Sequence, residues 1–192
     1  MGVPTARLGF VFEEGAMCWR ISAGHPLARL FQGTVEQVFQ TEVGLCDPRV
    51  IDYLGGMLLE FVHMDRIYSL RTVDGQVIRE VSRFEAEAYL GEGVSGTART
   101  RLVNRFIGDF TLFWAGVYPE ALQPRNAGVD RLQEFMLQGK RSYGIASELS
   151  ESDTYPPADL LRALSVEFEA CVHGLHLVRA SWKELAQHGR PN

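Results

Sequence analysis

The chain has 192 residues, 46% hydrophobic and 22% charged, enough to bury one full core and too apolar for the disordered class. Its formal net charge of −5, with lysine and arginine scattered rather than grouped into a stripe, offers no footprint for a phosphate backbone, so nucleic acid is not an expected partner. Cys18, Cys46 and Cys171 lack CxxC or Cys/His spacing, no apolar segment precedes Glu13-Glu14 to form a secretory signal, and no apolar run reaches the roughly 18 residues of a membrane span, so a soluble, reduced, cytoplasmic protein is expected.

Residues 1–24 resist a helical reading. Leu8, Phe10 and Phe12 alternate, and Trp19 and Ile21 are placed to pair with them across a turn, so a small hairpin or an irregular arm is expected. His25 stands before Pro26 in an expected loop, which opens the domain assigned to residues 25–188. Thr34 and Gln37 have the form of a capping box for a short helix that stops at Gly44.

Asp47-Pro48 reads as an N-cap followed by proline in the first turn, opening a long helix with Val50, Leu54, Leu58 and Phe61 on one face. Asp74-Gly75 marks a turn, and Val77, Val81, Phe84 and Ala88 recur at helical spacing until the glycines of GEGVSG. From Thr97, Val103, Phe106, Phe110, Phe113 and Val117 define a helix that ends before Pro119, and PEAL follows as a short helical turn.

Val129, Leu132, Met136, Gly139, Tyr143 and Ala146 line the next helix, where Gly139 would admit a close neighbour. After a polar link, Pro157 opens a last helix with Leu160, Leu164, Phe168, Cys171, Leu175, Val178, Trp182 and Leu185 on one stripe. The expected fold is an all-α, single-domain bundle of about six helices, four of them long.

Several blocks carry a family resemblance. YLGGMLLEF with Asp65 and Tyr68, GDFTLFWAGVYPEAL, MLQGKRSYGIASELS and VEFEACVHGLHLV resemble, in order, blocks of an uncharacterised family of bacterial helical proteins. That family carries Gly-Asp-x-x-Leu-Phe/Tyr-x-x-Gly and Gly-x-x-Ala/Ser-Tyr motifs. The resemblance spans residues 48 to 180 and implies a helical fold, with no activity, substrate or catalytic residue attached.

The candidate site residues begin with Asp109, which interrupts an apolar run. Arg105 lies one turn before it on the same side of the helix, so an i, i+4 ion pair at the edge of the core is the expected reading. Asp65 falls on the apolar face of its own helix, where a lone carboxylate is costly, and a cross-helix cluster of Asp65, Arg105 and Asp109 would supply its partner.

Glu60-x-x-His63 has the i, i+3 spacing of helical di-iron sites, yet no second ExxH follows and the pair points away from the apolar stripe. Glu169, His173 and His176 share a face of the last helix opposite its apolar stripe and have the residue types for zinc, and a structural or catalytic site there would need more ligands from elsewhere. GEGVSG lacks the lysine and Ser/Thr of a phosphate loop, and no Ser or Cys stands in a nucleophile motif.

Phe106, Phe110, Phe113, Trp114, Tyr118, Tyr143 and Trp182 are numerous enough to line an apolar ligand pocket, although such residues more often simply form the core. Trp19 is the candidate anchor for a protein partner or a second copy. By elimination, the sequence points to a non-enzymatic interaction or regulatory module with no cofactor assigned. A metal-dependent helical enzyme and an apolar-ligand bundle are the alternatives.

Overall fold

A computed structural model describes residues 26–68, 96–122 and 131–188. The hairpin or arm with Trp19, His25, and the helix expected around residues 77–88 with its glycine loop as far as Ser95 lie outside the described residues, and the last glycine, Gly96, opens a helix. Six α-helices stand among those described: α1 (Pro26–Val38), α2 (Pro48–Tyr68), α3 (Gly96–Val117), α4 (Arg131–Glu148), α5 (Ala158–Val166) and α6 (Phe168–His188). No strand occurs among the described residues, and no helix there is long and apolar enough to cross a membrane.

The first helix begins eight residues earlier than the expected capping box. Thr34 is an interior residue whose hydroxyl donates back to the Leu30 carbonyl at 2.7 Å, so it caps nothing. Pro26 suits the first turn, and Gly33, which costs about 1 kcal/mol relative to alanine inside a helix, is carried by burial of Phe31 and Val35 on one face. A widened π turn, Phe39–Val43, follows and ends at Gly44, whose left-handed φ of 78° lets the chain leave the helix.

The cap of α2 forms as expected. Asp47 Oδ1 accepts the Arg49 backbone N–H at 3.0 Å, and Arg49 also pairs with Asp159 at the start of α5. Helix α3 stops before Pro119, and Pro119–Leu122 forms a single 3-10 turn.

The expected last helix is two helices. Glu167 leaves helical geometry at φ −92°, ψ 21°, because α5 packs along α4 whereas α6 runs against α3 and α1. The Ser165 hydroxyl donates to the Lys140 carbonyl at 2.8 Å and ties the end of α5 to α4. The apolar spacing nevertheless continues through the bend, so Leu160, Leu164, Phe168, Cys171, Leu175 and Val178 all enter one core.

That core also takes Phe31, Val35 and Phe39, then Leu54, Leu58 and Phe61, then Leu112, Phe113 and Tyr143. Each fully buried Leu- or Phe-sized side chain favours the fold by about 1.5–3 kcal/mol. Gly139 lies at the α3–α4–α6 junction, where an added Cβ would sit 2.1 Å from Thr111 Oγ1 and 2.5 Å from Phe168 Cζ. Helices α3 and α4 therefore approach closely at that level.

A buried carboxylate between two tyrosines

Asp109 lies inside the core, only 5% exposed, and not at its edge. Three helices converge on it. Tyr53 of α2 donates its hydroxyl to Asp109 Oδ1 at 2.5 Å, and Tyr143 of α4 donates to the same oxygen at 2.7 Å. Arg105, one turn back on α3, stands 3.4 Å from Oδ2 through Nε and donates to the Tyr53 oxygen at 3.2 Å.

Local sequence makes this meeting possible. Gly108 has no side chain where the Tyr143 ring crosses α3, and a Cβ there would lie 2.7 Å from that ring. The ring can therefore rest on the helix while its hydroxyl reaches the next residue's carboxylate. Tyr53 comes from the YLGGMLLEF block, Gly108 and Asp109 from the GDFTLFWAG block, and Tyr143 from the GKRSY block. Three separate stretches of the sequence thus meet at one carboxyl group.

The electrostatics follow from burial. Desolvation pushes the Asp109 carboxyl above its ordinary value, while Arg105 and the two tyrosine hydroxyls pull in the opposite direction. Burial and then the Asp109 charge hold both tyrosines well above the usual phenol range. Burial works against the Arg105 charge, but Tyr53, Asp109 and Glu60 outweigh it, so Arg105 stays cationic. Protonated phenols and a fixed guanidinium surround Asp109 with donors whose protons are already committed. The cluster can lock three helices together, and it presents neither a base nor a nucleophile to a substrate.

Arg101, a further turn back on α3, is 3% exposed. Its Nε donates to Ser150 Oγ at 2.8 Å and its Nη2 to the Pro156 carbonyl at 2.6 Å, pinning the link before α5 to α3. Sequence reasoning missed Arg101 and Tyr53, and it placed Tyr143 on a core face without its bond to Asp109. The available signal was that Arg101, Arg105 and Asp109 recur at i, i+4 spacing, a charged row running into the apolar half of the helix.

The other candidates separate. The side chains of Asp65 and His63 lie outside the described ones, which leaves the described cluster as Tyr53, Arg105, Asp109 and Tyr143. Glu60 is half-buried and its charge reaches Arg105 on the neighbouring helix. Glu169 is bound by the Lys140 ammonium at 2.9 Å, which leaves it paired, and His173 and His176 are exposed. Among the described residues, no three His, Cys, Asp or Glu side chains converge to hold a metal ion. Burial pushes the Cys171 thiol up to about 12.

The aromatic residues fill space rather than line it. Phe113 stacks on Phe61 at 4.9 Å, Trp114 packs on Phe110 at 6.0 Å, Tyr143 on Phe168 at 6.1 Å, and Trp182 on Phe31 at 4.3 Å. A hollow of about 340 Å³ opens over Glu151, Ser152, Asp153 and Thr154, with no aromatic wall. Compared with known proteins, the chain matches no family model, no curated protein and no solved structure.

Proposed function

We propose that this chain is a non-enzymatic helical module for protein interaction or regulation, working in the cytoplasm and related to the uncharacterised bacterial family its sequence blocks resemble. One observation carries the reading: the buried carboxylate, Asp109, has both oxygens engaged by Tyr53, Tyr143 and Arg105, so it serves packing and leaves function to the surface. That surface includes Leu137 on α4 and Val166 at the end of α5, 58% and 61% exposed, near the Ser165 to Lys140 contact. Exposed branched apolar side chains on adjoining helices suit a protein partner or a second copy, whereas a net charge of −5 does not suit nucleic acid.

Sedimentation velocity over a wide concentration range, for the parent chain and Leu137→Glu, tests the interaction. The expected result is reversible self-association that the glutamate weakens. Elemental analysis of the untagged protein tests the absence of metal chemistry. Stoichiometric iron or zinc lost in His63→Ala or His173→Ala, together with a monomer at every concentration, would overturn the proposal.

A further inference from the structure

Helix α4 presents a strip of surface that carries its own electrostatic complement. Leu137, 58% exposed, is flanked on the same side of the helix by Glu134 three residues before it and Arg141 four residues after it, both exposed. At a rise of about 1.5 Å per residue, the acid stands about 4.5 Å along the axis on one side of Leu137 and the base about 6 Å on the other. Neither has an ion-pair partner among the described residues, whereas the neighbouring Lys140 is bound to Glu169. Two copies placed antiparallel about a two-fold axis near Leu137 set each Glu134 against the other's Arg141 and bring the leucines together. Placed parallel, the same strip sets like charge against like, which costs rather than contributes.

We propose that this strip is a self-association face: two copies of the chain pack α4 against α4 in antiparallel orientation, with reciprocal Glu134 to Arg141 ion pairs on either side of the paired Leu137 side chains. The inference rests on the interaction reading above and names its partner as a second copy. Val166, at the end of α5 and tied to α4 through the Ser165 to Lys140 hydrogen bond, widens the apolar part of the contact. Opposite charges spaced almost evenly about one exposed leucine satisfy each other only across a two-fold axis, so the pattern selects this chain over an unrelated partner. Charge pairs at the rim of such a contact fix its orientation more than its strength, so the association is weak and sensitive to salt.

Sedimentation velocity of the full chain at low ionic strength, for the parent, Glu134→Arg, Arg141→Glu and the two substitutions together, tests it. Each single substitution puts like charges opposite one another in both symmetric pairs, so the dissociation constant should rise several-fold, and the difference should fade as salt is added. Glu134→Arg is the more telling of the two, because it brings the net charge of −5 nearer zero and would strengthen an association governed by overall charge. The double variant exchanges the two signs and should return the dissociation constant to that of the parent. A parent that associates while the single variants match it, or a double variant that stays as weak as the singles, overturns this face and leaves the interaction reading standing. A parent that is monomeric at every concentration overturns the second copy as partner and, together with stoichiometric metal, the interaction reading as well.

Discussion

Two buried polar groups in this molecule are treated in opposite ways. Asp109, at the centre, is surrounded by donors from α2, α3 and α4, whereas the Trp182 indole N–H, where α1 meets α6, faces no acceptor among the described residues. The difference teaches where the fold is self-sufficient. A carboxylate in the middle of a helical bundle persists only when neighbouring helices are built to pair it, so its partners mark a finished interior. An orphan donor marks a place where packing has closed over a polar group without pairing it.

The comparison breaks most sharply at Asp109. Asp109→Ala strands two phenolic hydroxyls and the Arg105 guanidinium in the core, and the expected loss is about 3–5 kcal/mol, the range for removing one partner of a buried ion pair. Urea unfolding measures it. A loss below about 1 kcal/mol would place Asp109 with ordinary surface ion pairs instead.

Next in size is Gly108→Ala. The new methyl would fall 2.7 Å from the Tyr143 ring, so either the ring moves and its bond to Asp109 lengthens, or α3 and α4 separate. The expected cost is about 1–3 kcal/mol, as for overpacking elsewhere, with a changed near-ultraviolet tyrosine signal. An unchanged signal and unchanged stability would show that the close approach is not needed.

Smaller again are the single hydroxyl deletions. Tyr53→Phe removes a donor to Asp109 and the acceptor for Arg105, whereas Tyr143→Phe removes a donor alone. The expected losses are about 1–3 kcal/mol for the first and about 0.5–1.5 for the second. The reverse order in urea unfolding would mean that the Arg105 to Tyr53 bond contributes nothing.

These residues also show what the sequence can and cannot say. Local chemistry was legible: Asp47 caps α2, Pro119 ends α3, and the i, i+4 rule put Arg105 next to Asp109. The depth of Asp109 was not, because a rotation of 100° per residue puts it beside the apolar stripe, and only packing on α2 and α4 decides that this side is covered too. Tyr143 was legible as a helical core residue and Tyr53 was not singled out, and in neither case does periodicity indicate where a hydroxyl ends. The bend at Glu167 was hidden for the same reason, since one residue leaves the helix while the stripe from Leu164 to Phe168 keeps its spacing. Thr34 misled because a back-bonded threonine inside a helix and a capping threonine have the same sequence signature.

The finest distinction is one of sign with pH. Desolvation raises the Asp109 carboxyl in the folded state, so its ionisation opposes folding, and that opposition is relieved as pH falls through the raised value toward the ordinary 3.8. At the far end of α3, Glu120 is held down to about 2, first by its hydrogen bond to Arg179, whose guanidinium also lies 4.9 Å over the Tyr118 ring. Its contribution is fully present above the ordinary 4.5 and is lost as pH falls through about 2. Because the Glu120 side chain is 57% exposed, solvent screening limits that contribution to about 1 kcal/mol or less.

Urea unfolding between pH 7 and 2, for the parent chain, Asp109→Asn and Glu120→Gln, reads both signs. On acidification the parent should gain stability relative to Asp109→Asn and lose stability relative to Glu120→Gln, the second change appearing only below pH 4.5. A parallel loss against both variants would mean that Arg105 and the tyrosines prevail over burial, making Asp109 a carboxylate held down like Glu120.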